Sequence, residues 1–308
     1  MTTATETRSL LAGKAAERAQ KKAGARRTPP LVGNALRALG LLVVIVWCLF
    51  PFLWMFMTSL RSGGTALTNP NIFQGPFSLD NFGQIIELDF HFALRNSVIV
   101  AAATTIICIP VASLAAYAIA RLPLKGRAII LTLALVASMF PPVALVPPLY
   151  QVYQQLQTWT GIPLLNSYAG MVIPYVALTL PLSIFILVTF FSGIPKELEE
   201  QGKVDGATPW QVFVKVIVPL AAPGVGTSAI IAFVYATNEF LLAFSFAPRD
   251  LNVQTVPVFI GTFQRVGYEN PIGQVMAGSV LVSIPLIIFA LVLQRQIVAG
   301  LTAGAVKG

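Results

Sequence analysis

No Lys, Arg, Asp or Glu occurs between Arg37 and Arg61, between Arg95 and Arg121, or from Ala128 to Ile194. A helix crossing the hydrocarbon core of a bilayer takes about 20 apolar residues, and each of these stretches is long enough. Hydrocarbon offers no partner to a backbone N–H or C=O, so runs of this kind fold as helices that satisfy their own hydrogen bonds. The rest of the composition agrees: 56% hydrophobic residues, 10% charged and a mean hydropathy of +0.77. The fold class is therefore all-α, a polytopic membrane protein.

Six spans are predicted. They lie at about Ala38 to Leu60, Phe92 to Ala120, Ala128 to Leu149, Ala169 to Phe191, Gly224 to Phe246 and Gln274 to Leu293. The glutamines and Trp159 between Gln151 and Tyr168 are read as a polar turn, because burying them in hydrocarbon costs too much. The chain so divides into three regions: a basic N-terminal tail over 1–36, a six-helix body over 37–298 and a C-terminal tail over 299–308. The first of these is not read as a cleavable signal, since the apolar run after it is too long and lacks a small-residue cleavage site. Its cations act as a topogenic signal, or alternatively are drawn to anionic membrane lipid. The many prolines inside the spans permit bends, or are static packing kinks.

Between the fourth and fifth spans, over 192–222, the chain turns charged. Pro195 suits a first helical position, and Glu197, Glu199 and Glu200 lie where a helix dipole favours anions. Glu199 and Lys203 are spaced i, i+4 for a supporting pair. Asp205-Gly206 breaks the helix, Gly206 supplying backbone angles other residues avoid. Thr208 can cap a second helix, with Pro209 at its first position and Gln211 completing a capping box. Trp210, Phe213, Val214 and Ile217 recur at helical spacing and predict one apolar face. Pro219 and Pro223 end that helix or kink its continuation. The whole is a compact elbow with an acidic arm and a greasy arm.

Glu200-Gln201-Gly202-Lys203-Val204-Asp205-Gly206-Ala207, followed by Phe213, Ile217, Pro219 and Pro223, resembles the cytoplasmic loop signature of the membrane subunits of binding-protein-dependent ABC importers. More narrowly it is similar to the sugar permeases of the maltose-transporter type. The usual Glu-Ala-Ala opening reads Glu200-Gln201-Gly202 here, and Gly202, a poorer helix former than Ala, predicts a less tightly wound first arm. The resemblance extends over about 38 to 308. It includes Phe77-Ser78-Leu79-Asp80-Asn81-Phe82 and Leu94-Arg95-Asn96-Ser97. It implies that the elbow seats in a cleft of an ATP-hydrolysing subunit, with Glu200, Gly202, Asp205, Gly206, Ala207, Phe213 and Pro219 at that contact. It implies also that Leu301, Thr302, Gly304 and Lys307, in a small and flexible C-terminal tail, reach the ATPase subunits.

The function so implied is one half of a two-permease pore importing a di- or oligosaccharide. Its partners would be a second, homologous permease, a dimer of ATP-binding subunits carrying ATP and Mg, and an extracytoplasmic solute-binding protein touching the loops at 61–91 and 247–273. No cofactor is expected in this chain. A non-sugar solute such as glycerol phosphate or a polyamine is the alternative cargo. A secondary transporter would be expected to pair ionisable residues within its spans, and only Glu239 stands well inside one.

Asn238 and Glu239 either line or gate the pathway, or anchor a hydrogen bond between helices; the residues alone do not decide. No catalytic set is found: the chain contains no phosphate-binding Gly-x-x-x-x-Gly-Lys-Ser/Thr run, no Gly-x-Ser-x-Gly and no Cys/His cluster. Cys48 and Cys108 lie in apolar spans as packing residues, and His91 reads as an interface residue. The net charge of +8 would suit nucleic acid, but its distribution excludes that reading. With the N-terminus inside, only Arg61, Arg95, Arg249 and Arg265 of the 20 basic residues fall outside. By the positive-inside rule both termini and the elbow are cytoplasmic, and the resemblance implies the plasma (inner) membrane of a prokaryote.

Overall fold

The computed structural model describes residues 30–61, 71, 73–247, 251–263 and 272–305. Among these residues no strand forms; an isolated antiparallel bridge joins Arg61 to Phe77. The helices are α1 (Pro30–Ser59), α2 (Asp80–Glu87), α3 (Phe90–Arg121), α4 (Arg127–Ser138), α5 (Val146–Thr160), α6 (Tyr168–Ser192), α7 (Glu197–Val204), α8 (Pro209–Leu220), α9 (Ala222–Asn238), α10 (Leu241–Phe246), α11 (Val256–Phe263) and α12 (Ile272–Ala305). Four of them, α1, α3, α6 and α12, are long and apolar enough to cross a membrane. Two bent pairs, α4–α5 and α8–α9, bring the number of candidate spans to as many as six.

Residues 1–54 and 55–308 form two units. In the first, α1 presents its large apolar side chains outward, Leu41, Val43 and Trp47 among them. Such a surface is stable only against lipid or protein.

In the second unit α3 is the spine. Near its C-terminal end Ala112, Ala116 and Ile119 pack with Leu187 and Phe191 of α6 and with Val212, Phe213 and Ile217 of α8. At mid-length Val100 and Ala101 join Tyr175 of α6, Phe233 of α9 and Leu242 of α10. At the opposite end Phe90 and Ala93 meet Ile85, Phe259 and Ala277. Small residues on α3 let the neighbouring backbones close in. Gly224 does the same for α9, because a Cβ there would lie 2.5 Å from the Phe190 ring on α6.

At the end remote from the elbow, side chains tie the loops down. Asn96, fully buried, donates from Nδ2 to the carbonyls of Leu251 and Gln254, both at 3.0 Å, and its Oδ1 accepts from the Tyr168 hydroxyl at 2.7 Å. The Val256 N–H donates to Ser97 Oγ at 2.8 Å. Asn81 donates to the carbonyls of Ser59 and Arg61, each at 2.9 Å. Asn96, Ser97 and Asn81 belong to the Leu94–Ser97 and Phe77–Phe82 segments and are accounted for by the backbone carbonyls and the N–H they satisfy.

Several expectations are corrected. The third span is not continuous: α4 ends at Ser138, and a short 3-10 turn, Pro142–Leu145, leads into α5, with an 87° bend across the pair. Proline cannot donate and restricts the residue before it, so Phe140-Pro141-Pro142 breaks the ladder. Pro147 and Pro148 then sit in the first turn of α5, where no N–H is needed. The glutamines from Gln151 to Gln157 are thus helical rather than a turn, with only Tyr153 of α5 buried. The fifth span also breaks, at Glu239-Phe240. At the C-terminal end, residues 300–305 continue α12 instead of forming a flexible tail.

Candidate functional site

The elbow is built as two arms folded on one seat. α7 closes with a Schellman motif: the Ala207 N–H donates to the Gly202 carbonyl at 2.9 Å and the Gly206 N–H to the Lys203 carbonyl at 3.1 Å. Gly206 takes φ 81°, the left-handed conformation this closure requires. α8 opens with a complete capping box. The Gln211 N–H donates to Thr208 Oγ1 at 3.3 Å, and Gln211 Oε1 accepts from the Thr208 N–H at 2.9 Å. Pro209 stands at the first helical position.

α7 starts at Glu197, two residues after Pro195, and it winds through Gly202 without a break. The two arms come close there, since a Cβ on Gly202 would lie 3.1 Å from Val212 Cγ2. So the missing methyl is taken up by packing, and the first arm is not loosened.

The greasy face of α8 differs from the one predicted. Val212, Phe213 and Ile217 are buried, whereas Trp210 is 62% and Val214 42% exposed. A π-helical turn spans Phe213–Ile217, and its wider winding carries Val214 off the buried stripe, while Trp210 stands exposed in the turn before it. Phe213 is the hub of the seat, its ring centroid 5.0 Å from Tyr117, 5.5 Å from Trp210 and 6.4 Å from Phe191. Phe213→Ala is expected to destabilise the protein by about 3–5 kcal/mol, as large-to-small core changes do. A lower thermal midpoint in detergent checks it.

Glu199 does not serve Lys203. It turns inward to Arg121, the last residue of α3, with Arg121 Nε 2.7 Å from Glu199 Oε1. Sequence reasoning missed Arg121 and Tyr117. The available signal is that Arg121 is the first charge after a long neutral run; along the sequence, Arg121 to Arg127 reads only as a short, purely basic loop. Glu200, Lys203, Asp205 and Gly206 are exposed on the elbow, as is Val204 at 86%, while Ala207 is half-buried. Pro219 lies exposed in the last turn of α8, just before the 77° bend into α9.

Elsewhere, Glu239 sits at the break of the fifth span. Its carboxylate accepts from the Tyr175 hydroxyl at 2.6 Å, from the Leu242 N–H at 2.9 Å and from the Ala243 N–H at 3.1 Å. It caps α10 and ties it to α6. Asn238 is exposed and donates back to the Val234 carbonyl at 2.8 Å. Leu301, Thr302 and Gly304 continue the α12 backbone, their side chains outside the described set, and Lys307 lies outside the described residues. The structure therefore brings the elbow residues together, and Asn238 and Glu239 stand apart from them at the break of the fifth span.

Residues 108–302 match the family model described as "Binding-protein-dependent transport system inner membrane component". The trehalose transport system permease protein SugB of Mycobacterium tuberculosis is 41% identical over 268 residues, covering 86% of this chain and 95% of that one. The trehalose/maltose transport system permease protein MalG of Thermococcus litoralis is 41% identical over 276 residues, covering 89% and 96%. A bacterial ABC transporter involved in the import of the acidic polysaccharide alginate superposes with a TM-score of 0.65 at 21% identity, over 87% of this chain and 99% of that one, a likeness of fold. With an elbow sealed onto a bundle of apolar helices and these matches along most of its length, the chain belongs to the binding-protein-dependent inner membrane components, the membrane-spanning permeases of ABC transporters.

Proposed function

We propose that the chain is one half of the pore of an ATP-driven importer for a di- or oligosaccharide, and that the elbow is where the ATPase drives it. One observation carries this reading. The elbow seals Phe213 and Ile217 into the bundle while leaving Glu200, Val204 and Trp210 outward. Apolar side chains exposed on a charged element outside any long span suit a protein partner better than lipid. The disaccharide chemistry named for the trehalose and trehalose/maltose relatives supports the cargo class.

In this reading a second permease completes the pore, and two ATP-binding subunits hold ATP and Mg. The solute-binding protein meets the loops at 61–91 and 247–273. The chain has no ATPase site of its own. It resides in the inner membrane with both termini and the elbow cytoplasmic, the sidedness that the 16 remaining Lys and Arg favour. Closure of the ATPase pair moves a cleft, and a small rigid element lodged in it converts that motion into rotation of the attached helices. The C-terminal residues, from Leu301 to Lys307, add a second contact to the ATPase.

The test is uptake of labelled trehalose and maltose into liposomes holding the assembled transporter. Uptake is expected only with ATP, the ATP-binding subunits and the solute-binding protein all present, and Lys203 and Lys215 are expected to react with impermeant reagent from the elbow side. Uptake without the ATPase subunits, or labelling of these lysines only from outside the cell, overturns the proposal.

A further inference from the structure

One turn of α3 touches both arms of the elbow and the link that leads into it. Arg121 Nε lies 2.7 Å from Glu199 Oε1 on the first arm, and the two side chains are only 4% and 11% exposed. The Arg121 Nη2 group donates at 2.6 Å to the carbonyl of Ile194, in the link from α6. Tyr117, one turn earlier, sets its hydroxyl 3.5 Å from Glu199 Oε2 and its ring 5.0 Å from Phe213 on the second arm. A little further along, Arg127 Nη2 donates to Ser192 Oγ at 2.8 Å, closing the end of α6 onto the start of α4.

An exposed pair at this position would add little, because water screens it. Withdrawn from solvent, the pair behaves differently: losing either member strands a charge in the protein. The arginine fork also meets two partners in fixed directions, an ion pair with Glu199 and a hydrogen bond to the Ile194 carbonyl, which a lysine cannot reproduce in full. Glu199 and Glu200 are neighbours with opposite assignments: Glu199 faces inward to Arg121, and Glu200 is exposed.

We propose that Arg121 is a positioning residue for coupling: with Glu199 it clamps the first arm of the elbow to α3 and to the α6 link, beside the second arm that Tyr117 holds, so that the elbow and these helix ends move as one rigid body. The proposal rests on the reading of the elbow as the ATPase contact. A joint that bent at this point would absorb the stroke instead of passing it on.

The experiment uses the complete transporter in liposomes, with solute imported per ATP hydrolysed as the readout. Arg121→Ala and Glu199→Gln are expected to assemble and to lower that ratio about 5-fold or more, the lower end of ordinary coupling between sites. Arg121→Lys and the exchanged pair Arg121→Glu with Glu199→Arg are each expected to recover part of it. An unchanged ratio in Glu199→Gln overturns the clamp.

Should these variants fail to assemble, spin labels at exposed Glu197 and Leu122 in the otherwise intact protein decide the matter. One distance distribution, the same without nucleotide and with ATP bound, is the expected result, and a shift between the two states overturns the proposal. Failure of the underlying reading looks different: Lys203 would then react equally with and without the ATP-binding subunits.

Discussion

Gly206→Val or Gly206→Asp is expected to leave membrane insertion intact while ATP hydrolysis continues and uptake falls by about tenfold or more, the factor that each ~1.4 kcal/mol brings. Nothing lies within 4 Å of where a Cβ on Gly206 would stand, so no clash inside the protein accounts for the loss. The cause is conformational. At φ 81° a side chain costs about 1–3 kcal/mol, most for a β-branched one, and the turn relieves this by opening its Schellman closure. The arms then lose their fixed angle, and the elbow no longer fits a shaped cleft. Gly206→Asn, which tolerates the left-handed region better, is expected to fall between. The check is insertion by membrane fractionation alongside uptake and ATPase rates in the same liposomes. Full coupling in Gly206→Val removes the turn from the mechanism.

Glu239→Ala is expected to assemble with its partners and to lose transport. The Leu242 and Ala243 amides and the Tyr175 hydroxyl all end on this carboxylate, and all three residues are fully buried. Each donor left unpaired in such a site costs about 1–3 kcal/mol, so the break in the fifth span is destabilised by several kcal/mol in total. Glu239→Gln keeps an acceptor and is expected to retain more uptake. Co-purification of the transporter subunits measures assembly, and unchanged uptake in Glu239→Ala would exclude Glu239 from the mechanism.

Much of this was legible along the chain. Charge-free runs located the spans because hydrocarbon excludes charge whatever the tertiary contacts. The elbow's caps were legible because a capping box and a left-handed glycine act within four or five residues. What escaped detection depends on residues far apart in sequence. Glu199 had an apparent partner at Lys203, and nothing local revealed that Arg121, 78 positions earlier, would claim it. The π-turn in α8 moved Val214 off the buried stripe, a shift that no 3.6-residue pattern contains. Glu239 was singled out by its place in an apolar span, but the N–H groups it satisfies exist only because the helix stops there. The prolines at 141–142 read equally as a bend or a static kink, and the glutamines beyond them hid the second half of a broken helix.

The bend after α4 has a geometric consequence. At 1.5 Å per residue the 12 residues of α4 reach about 18 Å, against roughly 30 Å of hydrocarbon, and α5 then departs at nearly a right angle. The 32 residues of α3 extend about 48 Å by the same measure and have length to spare. α4 alone therefore falls short of the hydrocarbon thickness, and only the bent α4–α5 pair taken together has the length of a crossing.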